Sequence, residues 1–157
     1  MIFNIIMTGK IAKILALDYG SKRIGVAVSD PLGITAQPVT VINRKGKKKD
    51  IPEILEIIKE REVGKIVLGL PLNMNGSKGT LYDEVKKFGS LLEKKSSLQV
   101  DYLDERLTTA QAEKVLLSGD VSRQKRRKVI DKMAAVLILQ NYLDILQAGR
   151  HTPKPAH

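Results

Sequence analysis

The chain has no cysteine, so neither a disulfide framework nor a thiolate zinc site is open to it. Its only histidines, His151 and His157, stand in a proline-bearing tail, which removes Ser-His-Asp triads and histidine zinc sites from the fold. Aromatic residues make up 4% of the chain, too few for base-stacking platforms. A nucleic-acid partner would therefore be held through backbone and shape. No apolar run reaches membrane-spanning length, so no membrane partner is expected. The apolar opening, Met1 to Met7, lacks a basic lead-in and a small-residue cleavage site, which argues against a signal peptide and for a cytoplasmic protein. Met7 is an alternative start, and residues 1–6 would then be an artefact. Acids are scarce too: 17 Asp and Glu against 27 Lys and Arg, a net charge of +10. That balance suits a polyanion, nucleic acid being the commonest, although many small basic proteins bind acidic surfaces only weakly.

What is present fits one domain with a real core: 157 residues, 43% of them hydrophobic. We expect a single domain over residues 1–149, with 1–12 as an extension and 150–157 as a flexible tail. Ile14 to Asp18 and Ile24 to Val28 read as two strands joined by the glycine-bearing link Tyr19-Gly20-Ser21-Lys22-Arg23. Gln37 to Asn43 reads as a third, followed by the basic loop Arg44 to Lys49. Asp50 with Glu53 marks a helix start with Pro52 in its first turn, and Ile54, Leu55, Ile57 and Ile58 give it one apolar face. Lys65 to Leu70 is a buried-type strand. The loop Pro71 to Gly79 leads to a helix through about Lys95, and Leu98 to Leu103 is the fifth strand. Thr108 and Gln111 form a capping box for another helix. The last helix starts near Ser122, buries Ile130, Met133, Ala134, Leu137 and Ile138, and ends around Gly149. This order gives an α/β fold, a mixed five-stranded sheet with helices on both faces.

Three acids stand where chemistry could gather. Asp18 ends an apolar run, and a carboxylate at the edge of a core is costly unless something positive meets it. Glu105 follows the fifth strand, and sites in open α/β sheets gather at the carboxyl ends of strands. Asp104 is its rival, and either is equally a surface acid near a helix N-terminus. Asp131 is the only acid from Val121 to Gln140, although a surface pair with Arg127 four residues away also accounts for it. Carboxylates from separate elements can bind magnesium or manganese, and such ions can act on a phosphodiester without histidine or cysteine. Of the basic clusters, Arg44 to Lys49 reads as a solvated loop. Arg123 to Lys128 begins a helix, where positive charge opposes the dipole and a phosphate partner gives a reason for it. Pro71 to Gly79 is not a P-loop; a phosphate-facing turn and an ordinary strand-to-helix turn are equally open.

Taken in order, several motifs resemble the YqgF (RuvX) family of bacterial ribonuclease H-like proteins, associated with pre-16S ribosomal RNA nuclease and Holliday junction resolvase activity. They are Leu17-Asp18-Tyr19-Gly20 with Arg23-Ile24-Gly25-Val26-Ala27, Asp30-Pro31-Leu32-Gly33, Gly69-Leu70-Pro71, Asp104 to Thr109, and Asp131-Lys132-Met133-Ala134-Ala135. The resemblance runs from about Ile14 to Leu146. It implies a ribonuclease H-like fold and an acidic triad of Asp18, Glu105 and Asp131 binding Mg2+ or Mn2+, and so chooses Glu105 over Asp104. Asn75 departs from the family pattern, where Asp is expected. The implied function is a metal-dependent nuclease on structured RNA, most naturally the 5′ end of pre-16S ribosomal RNA. Lys22, Arg23, Arg106, Arg123, Arg126 and Arg127 would hold substrate phosphates. The alternatives are a resolvase of branched DNA, and a nucleic-acid-binding protein without turnover. Monomer and homodimer are both open. Phosphotransfer of the sugar-kinase type needs two such domains, and the chain is too short for it.

Overall fold

A computed structural model describes residues 12–73, 75–104 and 123–151. Strand β1, Lys13–Tyr19, turns back into β2, Arg23–Ser29, in an antiparallel hairpin that pairs Asp18 with Gly25 and Tyr19 with Ile24. Strand β3, Ala36–Asn43, extends the hairpin to the sheet edge. Its ladder slips where Pro38 faces Ala27, and an edge strand tolerates the missing N–H. Helix α1, Lys47–Glu60, leads to β4, Val63–Leu70, which lies parallel to β1. Helix α2, Tyr82–Ser96, leads to β5, Val100–Asp104, parallel to β4. Helix α3, Arg123–His151, closes the fold. The sheet order is β3-β2-β1-β4-β5, the mixed five-stranded sheet expected.

Strand β1 is central, which explains its unbroken apolar run: both faces of the sheet are covered. Leu15, Leu17 and Tyr19 point to one core, completed by Ile51 and Ile54 of α1 and Val85, Phe88 and Leu92 of α2. Ile14 and Ala16 point to a second, with Ala27, Val67 and the α3 residues Ala135, Ile138, Leu139, Tyr142 and Leu143. Side-chain alternation therefore puts Asp18 on the α3 face and Tyr19 on the α1–α2 face.

Polar tethers set the direction of α3. The Tyr142 hydroxyl donates to Asp101 Oδ2 at 2.6 Å, beside Lys65, near the starts of β4 and β5. Gln140 accepts from Ala36 N at 3.1 Å and donates to the Ile34 carbonyl at 3.0 Å. The C-terminal half of α3 thus lies at the start of the parallel strands, and its N-terminal half lies toward their carboxyl ends. Among the described residues no helix is long and apolar enough to cross a membrane.

Three expectations need correction. Helix α1 begins at Lys47, not Asp50, because the buried Asp50 carboxylate reaches back to the N–H groups of Lys45 and Gly46 at 3.0 and 3.2 Å; Pro52 accordingly lies inside the helix. On α3, Met133 and Leu137 are only half-buried, and the buried stripe is Ala134, Ala135, Ile138, Leu139, Tyr142 and Leu143. The helix extends to His151, two residues beyond Gly149. The helix expected from Thr108, with Gln111, and the side chain of Ile130 lie outside the described residues.

Candidate active site

Asp18 is half-buried near the carboxyl end of the central strand, next to Gly25 on β2, which adds no side chain to that face. Position 131 lies one helical turn before Ala135, which packs on the same face, in the half of α3 that extends toward the same end of the sheet. Its side chain lies outside the described residues. Glu105 lies outside them too, directly after Asp104, the last residue of β5. Asp104 is still in the ladder, paired with Leu70, and alternation places it on the face of Val100 and Tyr102. That is the α1–α2 face, opposite Asp18. Strand β1 and helix α3 thus bring positions 18 and 131 toward one end of the sheet, and alternation puts the Asp104 side chain on the face opposite Asp18. Among the described residues no group of three acids or histidines is placed to hold a metal. Asp18 itself, a half-buried carboxylate, offers the oxygen donor that Mg2+ or Mn2+ prefers.

The β1–β2 hairpin is fixed by a residue that the sequence assigns to a solvated loop. Arg44 Nη1 donates to the carbonyls of Gly20 at 3.0 Å and Ser21 at 2.8 Å, and its backbone N–H donates to Lys22 O at 2.9 Å. Nη2 pairs with Glu84 Oε1 on α2 at 3.1 Å, and the guanidinium lies 4.4 Å over the Tyr19 ring. Tyr19 in turn meets the Phe88 ring at 4.6 Å and donates to Glu84 at 3.3 Å. Burial pushes the Tyr19 hydroxyl up to about 12, Arg44 opposing and Glu84 reinforcing the rise. The only sequence signal for this clamp is an Arg heading a run of lysines, since a planar fork can hold several acceptors at once. Gly20 is required at the turn: its N–H donates to Arg23 O at 2.8 Å, and a Cβ there would stand 2.9 Å from that oxygen.

Of the expected phosphate ligands, Lys22 is exposed at the hairpin tip and Arg23 is half-buried where β2 begins, both beyond the Asp18 end of β1. Arg123, Arg126 and Arg127 belong to the first two turns of α3, toward the same end, with side chains outside the described residues; Arg106 lies outside them altogether. The loop at Pro71 to Gly79 spends its polar groups on itself. Gly79 N donates to Pro71 O, Asn73 N to Ser77 O, and Asn75 Oδ1 accepts both the N–H and the hydroxyl of Ser77. Its geometry favours the ordinary turn over the phosphate-facing one, and Asn75 works as a turn residue there.

A second polar cluster is structural. Lys65 Nζ lies 2.9 Å from Asp101 Oδ2, at the end of the sheet away from Asp18. Burial pushes Asp101 up, but hydrogen bonds from Tyr142 and Lys65 outweigh it and leave the carboxyl below its usual range.

The family model described as RuvX, Holliday junction resolvase, matches residues 12–145. A protein of Clostridioides difficile (strain 630), named "Putative pre-16S rRNA nuclease", is 58% identical over 132 residues, spanning 84% of this chain and 94% of its own. One of the same name from Heliobacterium modesticaldum is 55% identical, over 84% of this chain and 89% of its own. Among solved structures, T. thermophilus RuvC in complex with a Holliday junction substrate matches with a TM-score of 0.57 at 13% identity, over 93% of this chain and all of that one. Fowlpox virus resolvase bound to Holliday junction DNA matches at 0.55 and 14% identity, over 85% of this chain and 98% of that one. At such identities these two establish a shared fold.

Proposed function

The chain belongs to the RuvX family, and from that premise we propose that it is a nuclease that hydrolyses phosphodiesters in structured RNA and processes the 5′ end of pre-16S ribosomal RNA in the cytoplasm. The observation that carries the reading is Asp18: a half-buried carboxylate near the carboxyl end of the central strand, on the face covered by the helix that bears Asp131. Asp18, Glu105 and Asp131 hold one or two Mg2+ or Mn2+ ions. When bound, such ions supply Lewis acidity at the scissile phosphodiester. The protein's own share is placement. Pairing with Gly25 fixes the backbone of Asp18, and alternation turns its carboxylate to the face on which α3 packs. Lys22, Arg23, Arg106, Arg123, Arg126 and Arg127 neutralise the substrate backbone.

The test compares wild type with Asp18→Asn on labelled precursor ribosomal RNA, with magnesium, manganese or chelator. The variant is expected to bind RNA but to cut at least about a hundredfold more slowly. Cutting at the wild-type rate, or cutting that survives chelation, sinks the assignment. A second reading, resolution of four-way DNA junctions, is favoured by the family's description and by the junction-bound structural relatives. Paired symmetric nicks in a junction by a two-fold dimer would select it. Tight binding of both substrates with no product would mark a binding protein instead.

A further inference from the structure

Resting on the nuclease reading but tested apart from it, we infer that the backbone N–H groups of Ser21 and Lys22 form a seat for a phosphodiester oxygen on the Asp18 side of the sheet. The inference begins with Arg44. Its guanidinium lies on the α1–α2 face, over Tyr19 and against Glu84. From there Nη1 draws the Gly20 and Ser21 carbonyls toward that face, at 3.0 and 2.8 Å. In a trans peptide the C=O and the next N–H point opposite ways. Two carbonyls pulled toward Arg44 therefore turn the N–H groups of Ser21 and Lys22 toward the other face, the one Asp18 occupies.

Neither N–H has a hydrogen-bond partner among the described residues, and both residues are exposed. The seat is thus two adjacent aligned donors, with the Ser21 hydroxyl and the Lys22 ammonium on the same turn, three and four residues beyond Asp18. Adjacent backbone N–H groups favour an anion. A phosphodiester oxygen held there sits on the Asp18 side of the turn, where the two N–H dipoles offset part of its charge. Arg44 is a positioning residue: it never meets the substrate, and its role is to keep the carbonyls turned away.

The test is amide NMR of the intact protein titrated with a short RNA duplex, without divalent metal so that no cleavage occurs. The Ser21 and Lys22 amide signals are expected to shift on binding. In Arg44→Met/Glu84→Gln, which removes the guanidinium without stranding its carboxylate partner, they are expected to stay still. The melting profile reports that this variant is folded, and Arg44→Leu/Glu84→Gln, which likewise offers the carbonyls no donor, is the substitute if it is not. RNA affinity should fall about tenfold, with the slope of log K against log salt little changed, because neutral N–H donors release no counterions. Inorganic phosphate at the same concentration should leave both amides unmoved. Amides that do not respond to RNA, or that respond equally in the double variant, overturn the inference, as do shifts produced by phosphate and not by RNA. Shifted amides in a protein that cuts nothing would instead retire the nuclease reading and leave the seat standing.

Discussion

Tyr19 shows how one residue ties the hairpin to the core. Its ring is buried between Phe88 and the Arg44 guanidinium, while its hydroxyl reaches Glu84. Burial raises its hydroxyl from the ordinary 10.0 to about 12. A folded value above the unfolded one means the contribution is complete below pH 10 and lost as pH rises through 12. Tyr19→Phe removes that linkage. At pH 8 the variant should lie within about 1 kcal/mol of wild type, since one hydroxyl bond is lost. Between pH 10 and 11.5 its urea midpoint should fall less steeply than that of wild type, and parallel curves would show that the hydroxyl is not buried as described. At this scale Asp18 was legible, because an acid closing an apolar run is a local pattern. The choice between Asp104 and Glu105 was not legible from local pattern. It came from the family resemblance, and the Leu70–Asp104 pair adds only that Asp104 lies on the face opposite Asp18. Arg44 was hidden for another reason: its acceptors stand 24, 23 and 40 residues away.

Helix α1 shows the same limit for an element. Period and composition located its apolar face, but its start shifted by a full turn. Asp50 looks like an N-cap in sequence, yet it serves from inside the helix, its buried carboxylate reaching back to Lys45 and Gly46. Gly46 precedes the helix at φ 108°, a conformation that favours glycine. The consequence is an unusual first turn, with Lys47, Lys48 and Lys49 at the positive end of the helix dipole. Lys48 and Lys49 are exposed and take part in no ion pair among the described residues. Lys48→Glu with Lys49→Glu should therefore stabilise the protein, by about 1 kcal/mol for the pair at low salt. Thermal melts at low and high ionic strength would show the gain and its screening. A loss of stability at low salt would mean that these lysines meet acids outside the described residues.

For the whole molecule, the central fact is a net charge of +10 on a fold whose central strand carries Asp18 near its carboxyl end. The mixed five-stranded sheet was readable from the alternation of strand and helix patterns, its spatial order was not, and the two separate cores follow from a β1 that is apolar on both faces. What the order of elements could not give was the direction of α3, fixed by Tyr142 and Gln140 at the far end. That direction carries Arg123, Arg126 and Arg127 toward the Asp18 end, which turns a basic run in the sequence into a prediction about affinity. In an Asp18→Asn background, so that substrate survives, changing all three arginines to Gln should weaken RNA binding. It should also make the slope of log K against log salt shallower by up to about 2.7, the share of three phosphates. Phosphate contacts carry no base information, so the loss should be the same for unrelated duplex sequences. Equal slopes with and without the arginines would place the substrate away from α3. A loss confined to one sequence would mean that the helix reads bases, which a chain so poor in aromatic residues is otherwise not equipped to do by stacking.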